Sequence, residues 1–404
     1  MTTAAISRKA APGEVFLAFL KLGLTSFGGP IAHLGYFRDE LVVRRRWIDE
    51  TSYADLVALC QFLPGPASSQ VGFALGLLRG GPWGGLAAWS AFTLPSAILL
   101  VVFALGASVF TGTAGTGLIH GLKLVAVAIV AQAVWGMARS LAPDRPRATI
   151  ALVSVLIVVA AAGSAGQVGA IVCGGLAGAR FCRGEGAKPA GRLAFPVPRR
   201  VGLLLLALFF ALLAGLPLAA TLSNVQGIAL FDAFYRSGAL VFGGGHVVLP
   251  LLQEAVVRPG WVSPDGFLAG YGAAQAVPGP LFTFAAYLGT IMAPPPHGIA
   301  GAALCLVAIF LPGLLLVTGA LPFWDAFRTR PLAQAAMRGT NAAVVGILGA
   351  ALYDPVWTSA VRDSWDFVVA LAAFILLTTW KTPPWIIVLL AGAYGLGAGL
   401  AGGM

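Results

Sequence analysis

The chain carries Phe27-Gly28-Gly29 and, further along, Pro64-Gly65-Pro66, and both patterns recur as Phe242-Gly243-Gly244 and Pro278-Gly279-Pro280. The offset is 215 residues for the first pattern and 214 residues for the second. Between the two patterns of each copy, tryptophan and glutamine lie at matching positions: Trp47 and Gln61, then Trp261 and Gln275. The chain is therefore two copies of one unit. Because the glycine and proline clusters lie inside apolar stretches, each copy is predicted to contain broken membrane helices. In many transporters, broken helices of two repeated halves form the substrate site near the bilayer midplane.

The composition is that of an integral membrane protein. Of the 404 residues, 58% are hydrophobic and only 10% are charged, and the mean hydropathy is +0.89, whereas soluble domains carry about 25% charged residues. Several stretches contain no charged residue and exceed the roughly 20 residues that one helical span requires. They lack the alternation of polar and apolar residues that is typical of a transmembrane β-barrel. The predicted fold class is an all-α polytopic membrane protein.

Turn and charge signals divide the chain into about thirteen hydrophobic segments. Six belong to each copy and one stands between the copies; the segments cover residues 14–37, 52–79, 83–110, 117–141, 148–163, 166–182, 201–221, 229–250, 266–292, 297–321, 332–353, 364–380 and 384–402. The predicted divisions are an N-terminal repeat at 1–182, a cytoplasmic linker with one connecting transmembrane helix at 183–228, and a C-terminal repeat at 229–404. Because an odd number of crossings separates equivalent helices, the second repeat is predicted to have inverted topology.

The distribution of lysine and arginine indicates the orientation in the membrane. If all thirteen segments are full spans and the amino terminus is inside, sixteen basic residues lie inside and five outside, and Arg44, Arg45 and Arg46 are among those outside. If segments 1, 2, 8 and 9 are instead re-entrant hairpins bent at the glycine and proline clusters, the count becomes nineteen inside and two outside. The charge distribution favours the hairpins over full spans. In both arrangements the amino terminus is cytoplasmic and the carboxyl terminus is outside.

Other classes of protein fit the sequence poorly. The net charge is +10, but the basic residues are scattered between apolar segments, so no nucleic-acid partner is expected. The sequence contains no Walker A, HExxH or G-x-S-x-G motif, and the chain is therefore not expected to be an enzyme. Its four cysteines show neither metal-ligand nor CxxC spacing, so no metal and no other cofactor is expected. A match to GxGxxG at 397–402 is attributed to helix packing, since no strand precedes it.

Each glycine or proline cluster places the start of a helix inside the membrane. Proline cannot continue a preceding helix, and a helix that restarts presents free backbone N–H groups and a partial positive charge, which suit an anion. In the first copy, Ser68, Ser69 and Gln70 add hydroxyl and amide donors, whereas the second copy offers only His246 and Thr283. The first copy is therefore predicted to bind an anion. The alternative is that the clusters only permit kinks or close helix packing.

Further polar residues near the breaks are candidate ligands. Lys21 either lines the site or extends its amine to the cytoplasmic surface, and the same alternatives apply to Lys123, which aligns with Asn341. Gln61 and Gln275 either donate to an oxyanion or bond the broken backbone. Four arginines either attract oxyanions to the mouth of the site or anchor the chain: Arg38, Arg44, Arg45 and Arg46. The predicted substrate-binding residues are Lys21, Ser26, Phe27, Gly28, Gly29, Pro30, His33, Gln61, Pro64, Gly65, Pro66, Ser68, Ser69, Gln70, Lys123, Gly243, Gly244, His246, Gln275, Pro278, Gly279, Pro280 and Asn341.

Longer motifs surround these breaks. In the first copy they are Ser26-Phe27-Gly28-Gly29-Pro30, Gly35-Tyr36-Phe37-Arg38, Arg44-Arg45-Arg46-Trp47 and Cys60-Gln61-Phe62-Leu63-Pro64-Gly65-Pro66 with Ser69-Gln70. In the second copy they are Phe242-Gly243-Gly244-Gly245-His246 and the run from Gln275 to Pro280. Together these motifs resemble the signature of the chromate ion transporter family in its long, two-domain form, over essentially the whole chain.

The resemblance implies a bacterial inner-membrane protein that exports chromate and confers chromate resistance, with sulfate as a related oxyanion that competes or exchanges. Moving a dianion out of an inside-negative cell gains roughly 4.6 kcal/mol per 100 mV of membrane potential. Export driven by the membrane potential or the proton motive force therefore needs no ATP. The alternatives are an inward sulfate or oxyanion permease, a chromate–sulfate exchanger and a channel. The expected partners are the anion, the lipid bilayer and a second copy of the chain in a homodimer.

Overall fold

The structure is a computed structural model that describes residues 11–107, 112–161, 163–183, 195, 197–327 and 330–400. Within these residues it contains eighteen α-helices and no β-strand, which confirms the all-α prediction. In chain order the helices are α1 (Pro12–Thr25), α2 (Gly29–Phe37), α3 (Glu50–Phe62), α4 (Ala67–Ala107), α5 (Thr113–Leu141), α6 (Arg145–Ala160), α7 (Ser164–Phe181), α8 (Arg199–Leu222), α9 (Gln226–Ala239), α10 (Val248–Leu252), α11 (Pro264–Ala274), α12 (Phe284–Ile291), α13 (Gly298–Ala320), α14 (Trp324–Phe327), α15 (Pro331–Ala351), α16 (Thr358–Ala360), α17 (Ser364–Thr378) and α18 (Pro384–Leu400).

Five of these helices are long and apolar enough to cross a membrane, as expected for a multi-pass membrane protein: α4, α5, α8, α13 and α15. Shorter apolar helices accompany them, including α17 and α18. Parts of the predicted arrangement lie outside the described residues, namely most of the cytoplasmic linker at 184–194 and the chain ends at 1–10 and 401–404.

The order of helices repeats along the chain. Helices α1, α2 and α3 precede the long helix α4, and α9, α10 and α11 precede α12 and α13 in the same way. Helix α4 is interrupted at Gly80 and Gly81, whose backbone angles are not helical, so its two parts correspond to the separate helices α12 and α13. Helices α5, α6 and α7 then correspond to α15, α17 and α18. Helix α8 stands between the two sets.

The helix breaks expected from the sequence are present. Helix α1 ends at Thr25 and α2 begins at Gly29, while Gly28 between them has a left-handed backbone with φ of 95°. Helix α3 ends at Phe62 and α4 begins at Ala67, with Gly65 at φ of 121°. Glycine is the residue that adopts such angles without strain. In the second copy, glycines with positive φ occupy the equivalent turns: Gly243, Gly244 and Gly279.

Helices α1, α2 and α3, which lie beside the breaks of the first copy, are each too short to span a bilayer alone. The longest in the first copy, α1, has 14 residues and a length of about 21 Å at 1.5 Å per residue, compared with roughly 30 Å of hydrocarbon. Their counterparts α9 and α11 have 14 and 11 residues. We call α3 and α11, the helices that lead into the Pro-Gly-Pro turns, the inner helices. Both are capped by a side chain at the N-terminus: Asp49 accepts a hydrogen bond from the N–H of Ser52, and Ser263 accepts one from the N–H of Gly266.

Glycines bring the outer helices of one copy against the other copy. Helix α5 crosses α18 where Gly117 lies on the backbone of Gly395, and α7 crosses α15 where Gly178 lies on that of Gly339. Because glycine has no side chain, the two backbones of each crossing approach closely, which is how membrane helices gain packing energy. Each repeat is therefore packed on the other by the same pair of elements, with the roles of the copies exchanged.

Candidate functional site

The four helix breaks are joined by two backbone hydrogen bonds. Gly65, in the first Pro-Gly-Pro turn, donates its N–H to the carbonyl oxygen of Val241, with an N···O distance of 2.7 Å. Gly279, in the second turn, donates in the same way to Ser26, with a distance of 2.9 Å. Val241 and Ser26 each directly precede a Phe-Gly-Gly pattern. Each Pro-Gly-Pro turn is therefore bonded to the Phe-Gly-Gly break of the other copy.

Packing around these bonds is equally reciprocal. Gly65 lies against the backbone of Gly313 in α13, and Gly279 lies against Ser96 in α4. The ring of Pro30 lies against Gly245, so the two Phe-Gly-Gly breaks are also in contact. Both packing surfaces belong to a repeated motif of leucine, proline and a small residue: Leu94-Pro95-Ser96 and Leu311-Pro312-Gly313. The two occurrences are 217 residues apart. This motif was not singled out from the sequence, although the repeat is visible there.

Four buried groups of the first copy near the breaks can donate a hydrogen bond and have no hydrogen-bond partner among the described residues. They are the hydroxyls of Ser26, Ser69 and Thr93 and the Nε2 atom of His33, and each of these residues is at most 1% exposed. An unsatisfied polar group at membrane depth is costly. Ser26, His33 and Ser69 belong to the predicted site; Thr93 was missed because it lies in the middle of an apolar helix without a neighbouring motif.

His33 ties the start of α2 to both parts of α4. Its Nδ1 atom lies 3.3 Å from the hydroxyl of Ser68, and its ring stacks edge-on to Phe92 with 5.3 Å between the centroids. Phe92 and Thr93 are adjacent on the second part of α4. The imidazole therefore brings the start of α2, the start of α4 and the middle of α4 to one place.

Gln70 bonds the broken backbone rather than facing the break with a free amide. Its Nε2 donates to the carbonyl oxygens of Pro64 and Gly313, at 3.0 and 3.1 Å. The sequence had suggested this role for Gln61 and Gln275. Gln61 is instead exposed, and the Nε2 of Gln275 is buried without a partner among the described residues.

The second copy offers fewer polar groups at its breaks. The Nδ1 of His246 is occupied by the hydroxyl of Tyr271 at 2.7 Å, and the hydroxyl of Thr283 donates to the carbonyl of Pro280. Asn341 lies beside Gly243, and its buried Oδ1 has no partner within the described residues. The amide oxygen is an acceptor and does not suit an anion. The two copies thus differ chemically as the sequence indicated.

A cluster of cations surrounds Glu40 in the π-helical turn Arg38–Arg44. The Glu40 carboxylate accepts from Lys21, Arg44 and Arg45 at 2.8 to 2.9 Å, and its side chain is 7% exposed. Burial raises the pKa of Glu40, but the hydrogen bonds from Lys21 and Arg45 and the nearby positive charges outweigh it and hold that pKa at about 2. Lys21 is therefore an ion-pair partner with a half-exposed side chain.

The remaining predicted cations lie elsewhere. Lys123 is buried in α5, and its amine contacts Asp265 at the start of α11 at 2.7 Å. Arg38 pairs with Glu50 at 2.6 Å at the surface, and Arg46 is exposed with a φ of 52°. The unpartnered polar groups at the breaks of the first copy are consequently uncharged side chains. No group of three or more histidine, cysteine or acidic side chains in the described part of the chain is arranged to hold a metal ion.

Comparison with known proteins finds one family in both halves of the chain. The model of a family described as "Chromate transporter" matches residues 13–179 and again 228–396. A "Chromate transport protein" of Pseudomonas aeruginosa is 29% identical, over 99% of this chain and 94% of its own length. One of Cupriavidus metallidurans is 29% identical, over 93% of this chain and 90% of its own. The "Uncharacterized transporter YwrA" of Bacillus subtilis is 33% identical over 42% of this chain but 94% of its own, so it has the length of one repeat. No solved structure matches the chain at a significant level.

Proposed function

This chain belongs to the chromate transporter family, and we propose that it carries chromate across the membrane through the point where its four helix breaks meet. The observation that carries the proposal is the pair of hydrogen bonds from Gly65 to Val241 and from Gly279 to Ser26. They hold non-helical backbone at the centre of a helical membrane protein, and backbone of this kind is tolerated at membrane depth only inside protein or beside a watery cavity.

The chemistry at this point suits a tetrahedral oxyanion. Helices α2 and α4 both begin there, and the amino ends of helices attract anions through free N–H groups and a partial positive charge. The hydroxyls of Ser26, Ser69 and Thr93 and the imidazole of His33 add four buried groups that can donate hydrogen bonds. Neutral donors bind a dianion less tightly than a buried lysine would, which favours release on the other side of the membrane.

We assign the first copy as the main binding wall and the second as its plainer counterpart. Among the described residues, the hydroxyls of Ser26 and Ser69 have no hydrogen-bond partner, whereas His246 and Thr283 already have one. On the same side of the molecule, Lys21 and Arg44 share the carboxylate of Glu40, Arg38 pairs with Glu50, and Arg46 is exposed.

The topology proposed from the sequence is two inverted repeats whose broken helices form half-membrane hairpins. Several contacts between charged or polar groups support this proposal. Groups assigned to the cytoplasmic face meet one another, as Arg79 meets Glu14 and Arg338 bonds the carbonyl of Cys182. Groups assigned to the outer face also meet one another, as Lys123 meets Asp265 and His120 meets Asp366 at 2.7 Å. The amino terminus is then cytoplasmic and the carboxyl terminus outside.

Export is the direction that the electrical driving force favours. The interior of a bacterium is negative, and moving two negative charges outward gains roughly 4.6 kcal/mol per 100 mV. Uptake of sulfate, or exchange of chromate for sulfate, is the second candidate, because the neutral donors at the breaks would accept either tetrahedral dianion. Export through the bacterial inner membrane would confer chromate resistance.

Transport by everted membrane vesicles tests the function. Vesicles that contain the protein should accumulate labelled chromate without ATP when an inside-positive potential is imposed, and excess sulfate should reduce the accumulation. Vesicles from cells without the protein provide the background. A lack of accumulation under this potential would overturn export, and potential-independent sulfate uptake by right-side-out vesicles would favour the permease instead.

A further inference from the structure

The inner hairpin helices α3 and α11 occupy equivalent positions but are packed differently. Helix α11 is docked on α5, where Gly272 lies against the carbonyl of Leu122 and Asp265 binds the amine of Lys123. Helix α3 packs instead on α4 and on the π-helical turn that precedes it, without comparable packing on α15, the counterpart of α5. One side of the molecule is therefore closed by its inner helix and the other is not.

Burial along the two helices shows the same difference. Ala54, Ala58 and Gln61 form one stripe on α3 and are all exposed. The equivalent stripe on α11 consists of Leu268, Gly272 and Gln275, of which the first two are buried and the third is half-buried. Since the spacing is that of one helix face, a whole face of α3 is uncovered where the same face of α11 is covered.

We propose that this uncovered face of α3 docks on α15 in a second state of the transporter, in which α11 leaves α5. The proposal rests on the proposed function, because a carrier must close one side before it opens the other. Gly121 and Gly339 mark equivalent points of α5 and α15, since each lies at the crossing with the other copy. Leu122 and Lys123 therefore correspond to Thr340 and Asn341. Docking of α3 on α15 would therefore place Ala58 against Thr340, in the way that Gly272 of α11 now lies against Leu122 of α5.

The residue types on the uncovered face of α3 fit packing against α15 better than contact with lipid. Alanines four residues apart, such as Ala54 and Ala58, are the small pair that allows two membrane helices to approach closely. Gln61 lies three residues before the Pro-Gly-Pro turn, and an exposed amide at that depth is costly in hydrocarbon but not in a water-filled cleft. The exposed face therefore fits a cleft that leads from the cytoplasmic side to the breaks.

Lys123 and Asp265 act in this scheme as the latch of the closed side. Lys123 is 2% exposed, and among the described residues the acidic partner of its amine is Asp265 of α11, so undocking of α11 would leave the charge without this partner. At the equivalent place on the open side the residues are Asn341 and Thr51, which cannot form an ion pair. The latch therefore biases the protein toward the present state, in which the first copy faces the cytoplasm.

A double-cysteine variant tests the docking. In a cysteine-free version of the full chain that still transports, Ala58→Cys with Thr340→Cys should cross-link under mild oxidation, stop chromate transport, and recover on reduction. Ala58→Cys with Leu152→Cys is the matched control, because Leu152 is exposed on α6, and it should not cross-link. A transporting Ala58→Cys/Thr340→Cys protein that never cross-links would overturn the proposal.

Labelling of a single cysteine separates this proposal from the proposed function, because it needs no chromate. Ala58→Cys should react with a membrane-impermeant maleimide in everted vesicles, and the added change Lys123→Gln should slow that reaction several-fold as the latch opens. Reaction of Ala58→Cys only with a lipid-soluble maleimide would overturn the proposed docking of α3 on α15. A labelling rate that Lys123→Gln leaves unchanged would overturn it as well. A rate that shifts as expected in a protein that moves no chromate would leave the proposed docking standing and overturn the transport function.

Discussion

Gly65 donates its backbone N–H to the carbonyl oxygen of Val241 at 2.7 Å, and this bond joins the Pro-Gly-Pro turn of one copy to the Phe-Gly-Gly break of the other. A turn within the membrane leaves N–H and C=O groups without helical partners, and here the other copy supplies one of them. The equivalent bond of the second copy runs from the N–H of Gly279 to the carbonyl oxygen of Ser26 in the first copy. Each Pro-Gly-Pro turn is thus bonded in part by the other copy, so the junction of the four breaks forms only when the two copies pack together.

Alanine at Gly65 or Gly279 should disrupt this junction. Gly65 has φ of 121° and Gly279 has φ of 105°, and an added Cβ would lie 3.2 Å from the Cα of Gly313 or 2.8 Å from the hydroxyl of Ser96. We expect each substitution to reduce chromate transport strongly and to cost about 1–3 kcal/mol of stability from backbone strain. Transport in vesicles and thermal unfolding in detergent measure the two effects.

Gly81→Ala is the matched control for that experiment. Gly81 also has positive φ, at 66°, but open space surrounds its missing side chain and it lies outside the central junction. The strain should therefore appear without the loss of transport. Equal losses of transport for Gly65→Ala and Gly81→Ala would contradict a specific role of the junction.

Removal of the unpartnered hydroxyls should weaken anion binding without harming the fold. Ser69→Ala and Thr93→Val each delete a buried group that has no protein partner among the described residues. A hydrogen bond to a charged group contributes about 1.5–3 kcal/mol, so each variant should raise the KM for chromate by roughly 10- to 100-fold. Ser154→Ala serves as control, because the buried hydroxyl of Ser154 bonds its own helix at Ile150. An unchanged KM in both variants would place the anion elsewhere.

Loss of the Glu40 carboxylate should release the basic cluster. The pKa of Glu40 is lowered from 4.5 to about 2, so the stability that its charge contributes is fully present above pH 4.5 and is lost as the pH falls toward 2. We expect Glu40→Gln to lower the melting temperature at pH 7. We also expect the melting temperature of this variant to fall less steeply below pH 4.5 than that of the unmodified protein. Glu50→Gln breaks an exposed pair with Arg38 and should have little effect. Similar melting curves for Glu40→Gln and the unmodified protein would contradict this account.

Close packing between the copies predicts a contrast within α18. Gly395 lies on the backbone of Gly117, so an added methyl would collide with α5, whereas nothing lies within 4 Å of the position that a Cβ of Gly397 would take. Gly395→Ala should therefore lower the melting temperature and the yield of folded protein. Gly397→Ala should be neutral or slightly stabilising, because alanine favours a helix over glycine by about 1 kcal/mol. The reverse order of melting temperatures would contradict the crossing.

Much of the site could be predicted because its chemistry is local. Gly28, Gly65 and their counterparts break helices through backbone angles that depend on the residue itself. The hydroxyls of Ser26 and Ser69 were found because they adjoin those breaks. Thr93 could not be found in this way, since its neighbour Phe92 reaches His33 only because α4 folds back past α2.

The partners of charged residues also required the structure. The sequence left Lys21 and Lys123 between lining the site and reaching the surface. Each forms an ion pair, Lys21 with Glu40 and Lys123 with Asp265, while the Lys21 side chain also stays half exposed. The second pair joins residues far apart in the chain. Coulomb attraction acts over a few ångströms, so only the folded distance decides which acid a base meets.

The sequence by itself determined that this is a twofold-repeated helical membrane protein with helices broken at fixed glycines and prolines, because composition and backbone preference are properties of single residues and their neighbours. Only the tertiary structure decided that each break is bonded by the opposite copy and that α11 is docked while α3 is not. Those features depend on contacts between distant segments. Identical motifs in the two copies give no indication of them, because the free energy of docking belongs to the pair of surfaces and not to either sequence alone.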